Sequence, residues 1–189
     1  GREAMGADSV PVYAMPRMHA FLEANGPWDQ LVGLGNIELR RLEHAVPVPL
    51  GDAMRITPFQ VPHRDEYSET VGYRIEGPRK SAVFIPDIDK WSAWERDIVQ
   101  EIQSVDYAFL DATFYDGAEL PGRNMTEIPH PFVKESLALF ATLSPAERAK
   151  VVFIHFNHTI PLSDPNSEAR QRVLDAGYRV ARVGDRYGM

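Results

Sequence analysis

Short apolar runs, each the length of one strand, recur along the chain and alternate with stretches that have helical periodicity. Residues 151–154 form an uninterrupted apolar run, and residues 37–42 alternate apolar and charged side chains as a strand with one wet face does. The same reasoning predicts strands over residues 10–14, 37–42, 56–61, 71–76, 82–85, 107–110, 151–154 and 178–183.

Helices are predicted between these strands from their caps and from apolar residues spaced three or four apart. A helix over residues 16–25 precedes Gly26, and a capping box at Ser92 to Glu95 predicts that Trp94, Ile98 and Ile102 share one helix face. Further helical segments are predicted around Val133, Leu137 and Phe140, at Ser144 to Glu147, and around Ala169, Val173 and Leu174, the last one ending at Gly177.

The order of these elements predicts an α/β fold in which helices cover sheets. Strands dominate the first part of the chain, and helices alternate with strands in the second part. We find no internal repeat, linker or low-complexity segment, so residues 1–189 are predicted to form one domain.

Composition and charge narrow the possible chemistry. The 189 residues include no cysteine, which excludes disulfides, thiolate catalysis and sulfur-ligated zinc, and leaves histidine and carboxylates as the strong metal donors. The formal net charge of -7 gives no overall basic surface for nonspecific binding to nucleic acid and leaves only a local basic patch open. No apolar run approaches the roughly 18 residues of a membrane span, so we expect a cytoplasmic protein without a membrane partner.

Four candidate metal donors follow predicted strands directly. His63 comes after the strand at residues 56–61, Asp87 after 82–85, Asp111 after 107–110 and His155 after 151–154. Imidazole nitrogen and carboxylate oxygen suit zinc, manganese or iron, and a carboxylate can bridge two ions. A single histidine at a strand end is usually a hydrogen-bonded structural residue, but the repeated placement favours a metal site.

Other polar residues leave alternatives open. Asp89 competes with Asp87 as the donor in its turn. His130 precedes a helix, where it is either a cap or surface residue or a general acid or base. His158 is predicted to support the site or to be structural. His19 and His44 have no convergent context, and we interpret them as structural.

Several motifs in the chain, in this order, resemble those of the metallo-β-lactamase superfamily. They read TPFQVPH, GYRIE, FIPDID, FLDATF and VFIHFNHTIPL. The resemblance covers most of the chain from about Ile56 onward. Its second half is most similar to a branch that acts in the biosynthesis of pyrroloquinoline quinone, and a similar order of motifs occurs in the tRNase Z and cyclic phosphodiesterase branches. The resemblance implies an αββα sandwich.

Site roles follow from the resemblance residue by residue. It implies metal ligation by His63, Asp87 and His155, with Asp87 as a bridge, and catalytic roles for His130 as proton donor and Asp111 as support of the site. The implied activity is hydrolysis of a small-molecule substrate, phosphodiesters included, by a metal-bound hydroxide. Zinc is the first candidate, with manganese or iron as alternatives, and one or two ions are expected.

Two departures from the superfamily pattern accompany the resemblance. The aspartate motif reads Pro86-Asp87-Ile88, where the family has Gly or Ser before Asp-Thr, and a His-x-His-x-Asp-His run is absent from the sequence. Either the chain lacks an upstream segment of the sandwich, which is what we expect, or the protein has dispensed with half of the site. The alternatives to hydrolysis are a noncatalytic domain that binds a small molecule or partner, and metal-dependent oxidation in quinone cofactor biosynthesis; a homodimer is also left open.

Overall fold

The computed structural model describes residues 6–120 and 122–189. Its strands match the predicted series closely, with one additional short strand. They are β1 Val10–Ala14, β2 Ile37–Arg41, β3 Val48–Leu50, β4 Met54–Gln60, β5 Val71–Glu76, β6 Ser81–Ile85, β7 Tyr107–Asp111, β8 Val151–Ile154 and β9 Arg179–Val180.

The helices are short and lie between strands. They are α1 Pro16–Ala24, α2 Trp28–Gly33, α3 Ile98–Gln103, α4 Val133–Leu139, α5 Pro145–Arg148 and α6 Glu168–Asp175, with 3-10 turns at Trp91–Ala93, Met125–Glu127, Phe140–Thr142 and Pro161–Ser163. Across the part of the chain that the structure describes, no helix has both the length and the apolar character needed to cross a membrane.

A mixed seven-stranded sheet, in the spatial order β3-β4-β5-β6-β7-β8-β9, carries the fold. Strands β3 to β6 pair antiparallel, and β6 to β9 pair parallel. Because β4 and β6 are both antiparallel to β5, strands β4, β6, β7 and β8 all run in the same direction. Their carboxyl ends therefore meet at one edge of the sheet. Strands β1 and β2 form a separate parallel pair.

Helical segments cover one face of this sheet and close the main core there. The alternation of side chains along each strand directs apolar residues of β6, β7 and β8 to that face. The core combines Val83, Ile85, Leu110, Val151 and Phe153 from the sheet with Ile98, Ile102, Val133, Phe140 and Val173 from the helical segments. This confirms the predicted α/β class.

The opposite face of the sheet is aromatic and only partly covered. Tyr73 of β5 lies opposite Phe84 of β6, and Phe84 lies opposite Phe109 of β7. All three side chains are of intermediate exposure. The C-terminal residues pack here, with the ring of Tyr187 standing edge-on to that of Phe109 at a centroid distance of 4.8 Å.

The predicted capping box at Ser92 is wrong. Trp94 follows the 3-10 turn in an extended conformation, with ψ 136°, so the helical path is interrupted there. The helix begins instead at Ile98, where the side chain of Asp97 accepts a hydrogen bond from the backbone N–H of Val99. Trp94 still contributes to the core, because its ring stacks on Phe59 at 5.8 Å.

The last strand is shorter than predicted, and the first part of the chain holds two elements that were not predicted. Strand β9 pairs with β8 at only two positions, Arg179 and Val180, since the chain turns away after Ala181. Helix α2 and strand β3 lie in segments rich in proline and glycine. These residues interrupt the apolar spacing from which a helix or strand is predicted. The predicted end of α6 is confirmed, because Gly177 adopts φ +90°, which favours glycine.

Candidate metal centre

The four donor-bearing loops converge at the carboxyl edge of the sheet and are tied together by backbone hydrogen bonds. The N–H of Asp89 donates to the carbonyl of Pro62 at 2.7 Å, which joins the loops after β6 and β4. The N–H of Asn157 donates to the carbonyl of Thr113 at 3.1 Å, which joins the loops after β8 and β7. These hydrogen bonds hold the loops against one another, and the rigid strands before them anchor the loops. The side chains on the loops are therefore fixed in position.

His63 lies between two aspartates. Its Nε2 atom is 3.2 Å from Oδ1 of Asp87, and its Nδ1 atom is 2.9 Å from Oδ1 of Asp89. Asp89 thus fixes the orientation of the imidazole ring, and Asp87 faces the interior of the cluster. The two aspartates, which the sequence could not rank as donors, have different positions in the structure.

Asp111 is the buried anchor of the site, with no exposed surface. Oδ1 accepts hydrogen bonds from the backbone N–H and Oγ1 of Thr113 at 2.8 and 2.7 Å, and Oδ2 accepts one from the N–H of Ile88 at 3.2 Å. Burial by itself raises the pKa of this carboxyl. Its interactions with His130, His155 and Thr113 outweigh burial and hold the pKa below the ordinary value.

His130 reaches the same cluster from the loop that precedes α4. Its Nδ1 atom lies 2.9 Å from Oδ2 of Asp111 and 3.4 Å from Oδ1 of Asp87. Its ring is 5.1 Å from that of His63 and meets the ring of Phe114 edge-on at 6.1 Å. The N-cap of α4 is Phe132, so His130 is not the helix cap that the alternative interpretation considered.

His155 closes the cluster from the end of β8 in an unusual backbone conformation. Its φ of +62° lies in the left-handed region that costs a residue with a Cβ atom about 1–2 kcal/mol. Nδ1 lies 3.0 Å from Oγ1 of Thr113 and 3.9 Å from Oδ1 of Asp111. The interaction with Asp111 raises the pKa of the imidazole against the effect of burial.

These side chains form two overlapping groups of potential ligands. His63, Asp87 and His130 make one group, and Asp87, Asp111 and His155 make the other; within each group the ligand atoms lie within 4.8 Å of one another. Asp87 belongs to both groups, as a carboxylate that bridges two ions does. All five site residues predicted from the sequence occur in these groups, with the predicted ligands His63 and His155 in different groups.

The donor set fits a divalent transition metal. Oδ1 of Asp87 is buried and has no hydrogen-bond partner among the described residues, although it lies close to the nitrogens of His63 and His130. A buried carboxylate oxygen without a donor is costly unless a cation neutralises it. Nitrogen and oxygen ligands together suit zinc, manganese or iron rather than calcium.

Sequence reasoning missed Thr113. Its hydroxyl donates to Asp111 and lies within hydrogen-bond distance of His155, so it links two members of the same donor group. The only signal available was the position of Thr113 two residues after Asp111, beyond the end of the strand. Nothing in a strand pattern marks such a residue as part of a site.

The remaining histidines lie elsewhere. His158 is exposed, and its Nδ1 atom lies 3.2 Å from Oδ1 of the adjacent Asn157, a local contact that does not support the site. His19 pairs with Glu23 within α1, and Nδ1 of His44 accepts a hydrogen bond from the backbone N–H of Gln60 at 3.1 Å. Each thus makes an ordinary structural contact.

Comparisons with known proteins agree with this geometry. Residues 2–156 match the model of the "Beta-lactamase superfamily domain" family. Coenzyme PQQ synthesis protein B of Nitrosococcus oceani is 26% identical over 171 residues, covering 86% of this chain and 52% of that relative. The protein of the same name from Gluconobacter oxydans is 26% identical over 121 residues, covering 61% of this chain and 39% of that relative. The chain thus spans about half the length of the curated relatives it matches, or less.

Solved structures show the same fold. Zn(2+)-bound PqqB from Methylobacterium extorquens has a TM-score of 0.73 at 21% identity, over 92% of this chain and 62% of that one. Unliganded yeast PDE1 has a TM-score of 0.59 at 8% identity, over 92% of this chain and 58% of that one. At these identities the likeness establishes the fold and leaves the reaction open.

Proposed function

This chain belongs to the β-lactamase superfamily and has the metallo-β-lactamase fold, and from that premise we propose that it is a divalent-metal-dependent hydrolase of a small-molecule substrate. It is PqqB-like within the superfamily. Zinc is the first candidate for the metal, because the similar PqqB structure is described as zinc-bound and because the donors here are imidazole and carboxylate. Manganese and iron accept the same donors.

The observation that carries the proposal is the sharing of Asp87 between two donor groups. A structural cluster would be expected to pair each carboxylate with a hydrogen-bond donor, but Oδ1 of Asp87 has none among the described residues. Metal held by the two donor groups would neutralise this carboxylate and bind the surrounding imidazoles. A pair of ions about 3.5–4 Å apart is a common arrangement in hydrolytic enzymes.

Some of the site residues would hold the metal, and others would transfer a proton. His63 and Asp87 would hold metal in one donor group, and Asp87 and His155 would hold metal in the other, with Asp89 orienting His63. When bound, the metal would acidify a coordinated water molecule and polarise an oxygen of the substrate. His130 keeps Nδ1 toward the buried Asp111, which leaves Nε2 to carry a proton to the leaving group. Asp111 would stabilise the protonated imidazole.

A second candidate function is a metal-dependent oxidation step in the synthesis of a quinone cofactor. It is favoured by one observation, that the curated relatives reported above are named for PQQ synthesis. The same donor set would hold iron for such a reaction. A third possibility is a noncatalytic domain that has the fold but binds no metal. Metal analysis tests this alternative.

Metal analysis combined with a hydrolysis panel tests the proposal. The chain would be loaded with zinc, manganese or Fe(II), desalted, and its metal content measured by plasma mass spectrometry. Hydrolysis of bis(p-nitrophenyl) phosphate, p-nitrophenyl acetate and a chromogenic cephalosporin would then be followed with and without chelator. We expect bound metal and chelator-sensitive hydrolysis of at least one of these three substrates.

Two histidine variants sharpen this experiment. His155→Ala should lose both bound metal and hydrolysis, whereas His158→Ala, three residues further along and exposed, should keep both. A wild-type chain that stays free of all three metals would refute the proposal. Metal binding without any hydrolysis, together with oxidation of a phenol by the iron-loaded chain when dioxygen is supplied as the oxidant, would favour the second candidate.

A further inference from the structure

A cavity of about 240 Å³ opens beside the candidate metal centre and shares three of its residues. His63, His130 and Thr113 belong to the lining of this cavity. Arg64, which follows His63 directly, and Arg123 in the loop after β7 also line it. A molecule in the cavity would therefore contact the site and two guanidinium groups at once.

Arg64 and Arg123 are both exposed, so their side chains are accessible to a ligand. Within residues 6–120 and 122–189, the guanidinium groups of Arg64 and Arg123 make neither a hydrogen bond nor an ion pair. The carboxylate next in sequence to Arg64, Asp65, is already engaged by Arg17 at 3.3 Å. In a chain of net charge -7, two arginines therefore line one small cavity without a carboxylate partner among the described residues.

The remaining walls of the cavity are apolar. Phe114, Ile128 and Pro129 complete the lining, and Phe114 and Ile128 are buried in a small cluster with Met125. Because this cluster fixes the loop that carries Arg123 and His130, the cavity is framed by packed side chains. A lining that combines apolar and cationic side chains suits a ligand with a small apolar body and an anionic substituent.

We propose that Arg64 and Arg123 form an oxyanion subsite that binds a carboxylate or phosphate group on a compact, apolar substrate. The guanidinium fork matches both oxyanions through paired hydrogen bonds, and this match distinguishes arginine from a simple positive charge. With the oxyanion held there, the rest of the molecule would lie against Phe114 and extend toward His63 and His130. The inference deepens the proposed function, because it assigns a substrate class to the same site.

Calorimetric titration of the zinc-loaded chain with three related probes tests the subsite. Benzoate carries a carboxylate, phenylphosphonate carries a phosphate-like group that cannot be hydrolysed by ester cleavage, and benzyl alcohol is neutral. Arg64→Met and Arg123→Met should each weaken the binding of benzoate or phenylphosphonate by about tenfold or more. Arg79→Met, in the exposed turn between β5 and β6, removes the same charge elsewhere and should leave both affinities unchanged.

The outcomes separate this inference from the proposed function, because zinc content is measured in the same samples. Arginine-dependent binding of an oxyanion, with benzyl alcohol unaffected, supports the subsite, and the tighter of the two probes shows which oxyanion the subsite prefers. Oxyanion binding that persists in both arginine variants, or no oxyanion binding by the wild-type chain, overturns the subsite even if zinc is bound. Arginine-dependent binding by a chain that takes up none of zinc, manganese and Fe(II) would support the subsite and refute the metal-dependent function.

Discussion

The carboxylate of Asp89 lies 2.9 Å from Nδ1 of His63 and thereby turns the Nε2 atom of the same ring toward Asp87, 3.2 Å away. A carboxylate behind an imidazole fixes the tautomer with hydrogen on Nδ1 and makes Nε2 the free ligand atom. The arrangement assigns different tasks to two aspartates that lie only two residues apart.

Asp89→Asn should weaken zinc binding without abolishing it. The amide can still accept a hydrogen bond from His63 but no longer carries the charge that raises the basicity of the ring, and such changes typically cost about 10- to 100-fold in metal affinity. Competition against a chromogenic chelator measures the loss. Asp52→Asn, in the exposed turn before β4, removes a carboxylate away from the site and should leave zinc affinity unchanged. An equal effect of the two variants would show that overall charge matters and orientation does not.

Thr113→Val should destabilise the metal-free chain. The substitution preserves shape but removes the hydroxyl that donates to Asp111 at 2.7 Å, so a buried carboxylate loses a donor at a cost of about 1–3 kcal/mol in the free energy of unfolding. Urea denaturation in the presence of a chelator measures this free energy. Thr113→Ser keeps the hydroxyl and should recover most of the stability. If serine and valine variants were equally unstable, the methyl group would be the important feature.

Most of the fold could be predicted from the sequence because its central strands are buried. The apolar runs that became β7 and β8 have no polar interruption, and their bounds agree with the prediction to within one residue. The failures occur where local and tertiary preferences diverge. Ser92 and Glu95 have the spacing of a capping box, but Trp94 is held extended against Phe59, so the helix starts later.

Much of the candidate site could also be predicted, and for a topological reason. Four of the site residues each lie at the end of a strand: His63, Asp87, Asp111 and His155. Strands β4 and β6 are both antiparallel to β5 and so run in the same direction, which brings the ends of all four strands to one edge of the sheet. The sequence could not predict which of these side chains would bind metal and which would orient a neighbouring side chain. The separate orientations of Asp87 and Asp89, and the link made by Thr113, depend on side-chain directions in loops that carry no periodic pattern.

His155→Gly should be more stable than His155→Ala in the metal-free chain. Residue 155 adopts φ +62°, where a Cβ atom is unfavourable by about 1–2 kcal/mol, while glycine loses up to about 1 kcal/mol through its larger unfolded-state entropy. The balance predicts an advantage of about 1 kcal/mol for glycine in urea denaturation. Equal stability of the two variants would indicate that the left-handed conformation is not maintained when the imidazole is absent.

Gly72→Ala should destabilise the sheet. Gly72 of β5 lies opposite Phe59 of β4, and a Cβ atom at this position would approach the Phe59 ring to 2.5 Å. The ring is held by its stacking on Trp94, so we expect a cost of about 1–3 kcal/mol in the free energy of unfolding. Gly33→Ala places the same methyl group in open space at the end of α2 and should be neutral or stabilising. A neutral Gly72→Ala would mean that Phe59 moves freely.

His130→Gln separates proton transfer from metal ligation, the two roles open to a histidine that lies in a donor group and also contacts a buried aspartate. Its Nδ1 atom is 2.9 Å from Asp111, and the glutamine amide can occupy similar space but cannot deliver a proton near neutral pH. We expect the variant to bind zinc like the wild type while hydrolysis falls by about 10²- to 10⁴-fold. His63→Gln is the comparison, because it removes a proposed ligand that lines the same cavity. This variant should lower the zinc content as well as the rate. Zinc content and initial rates measured on the same preparations decide between the roles. If His130→Gln lost zinc as His63→Gln does, His130 would be a ligand, and the proton would have to come from another group.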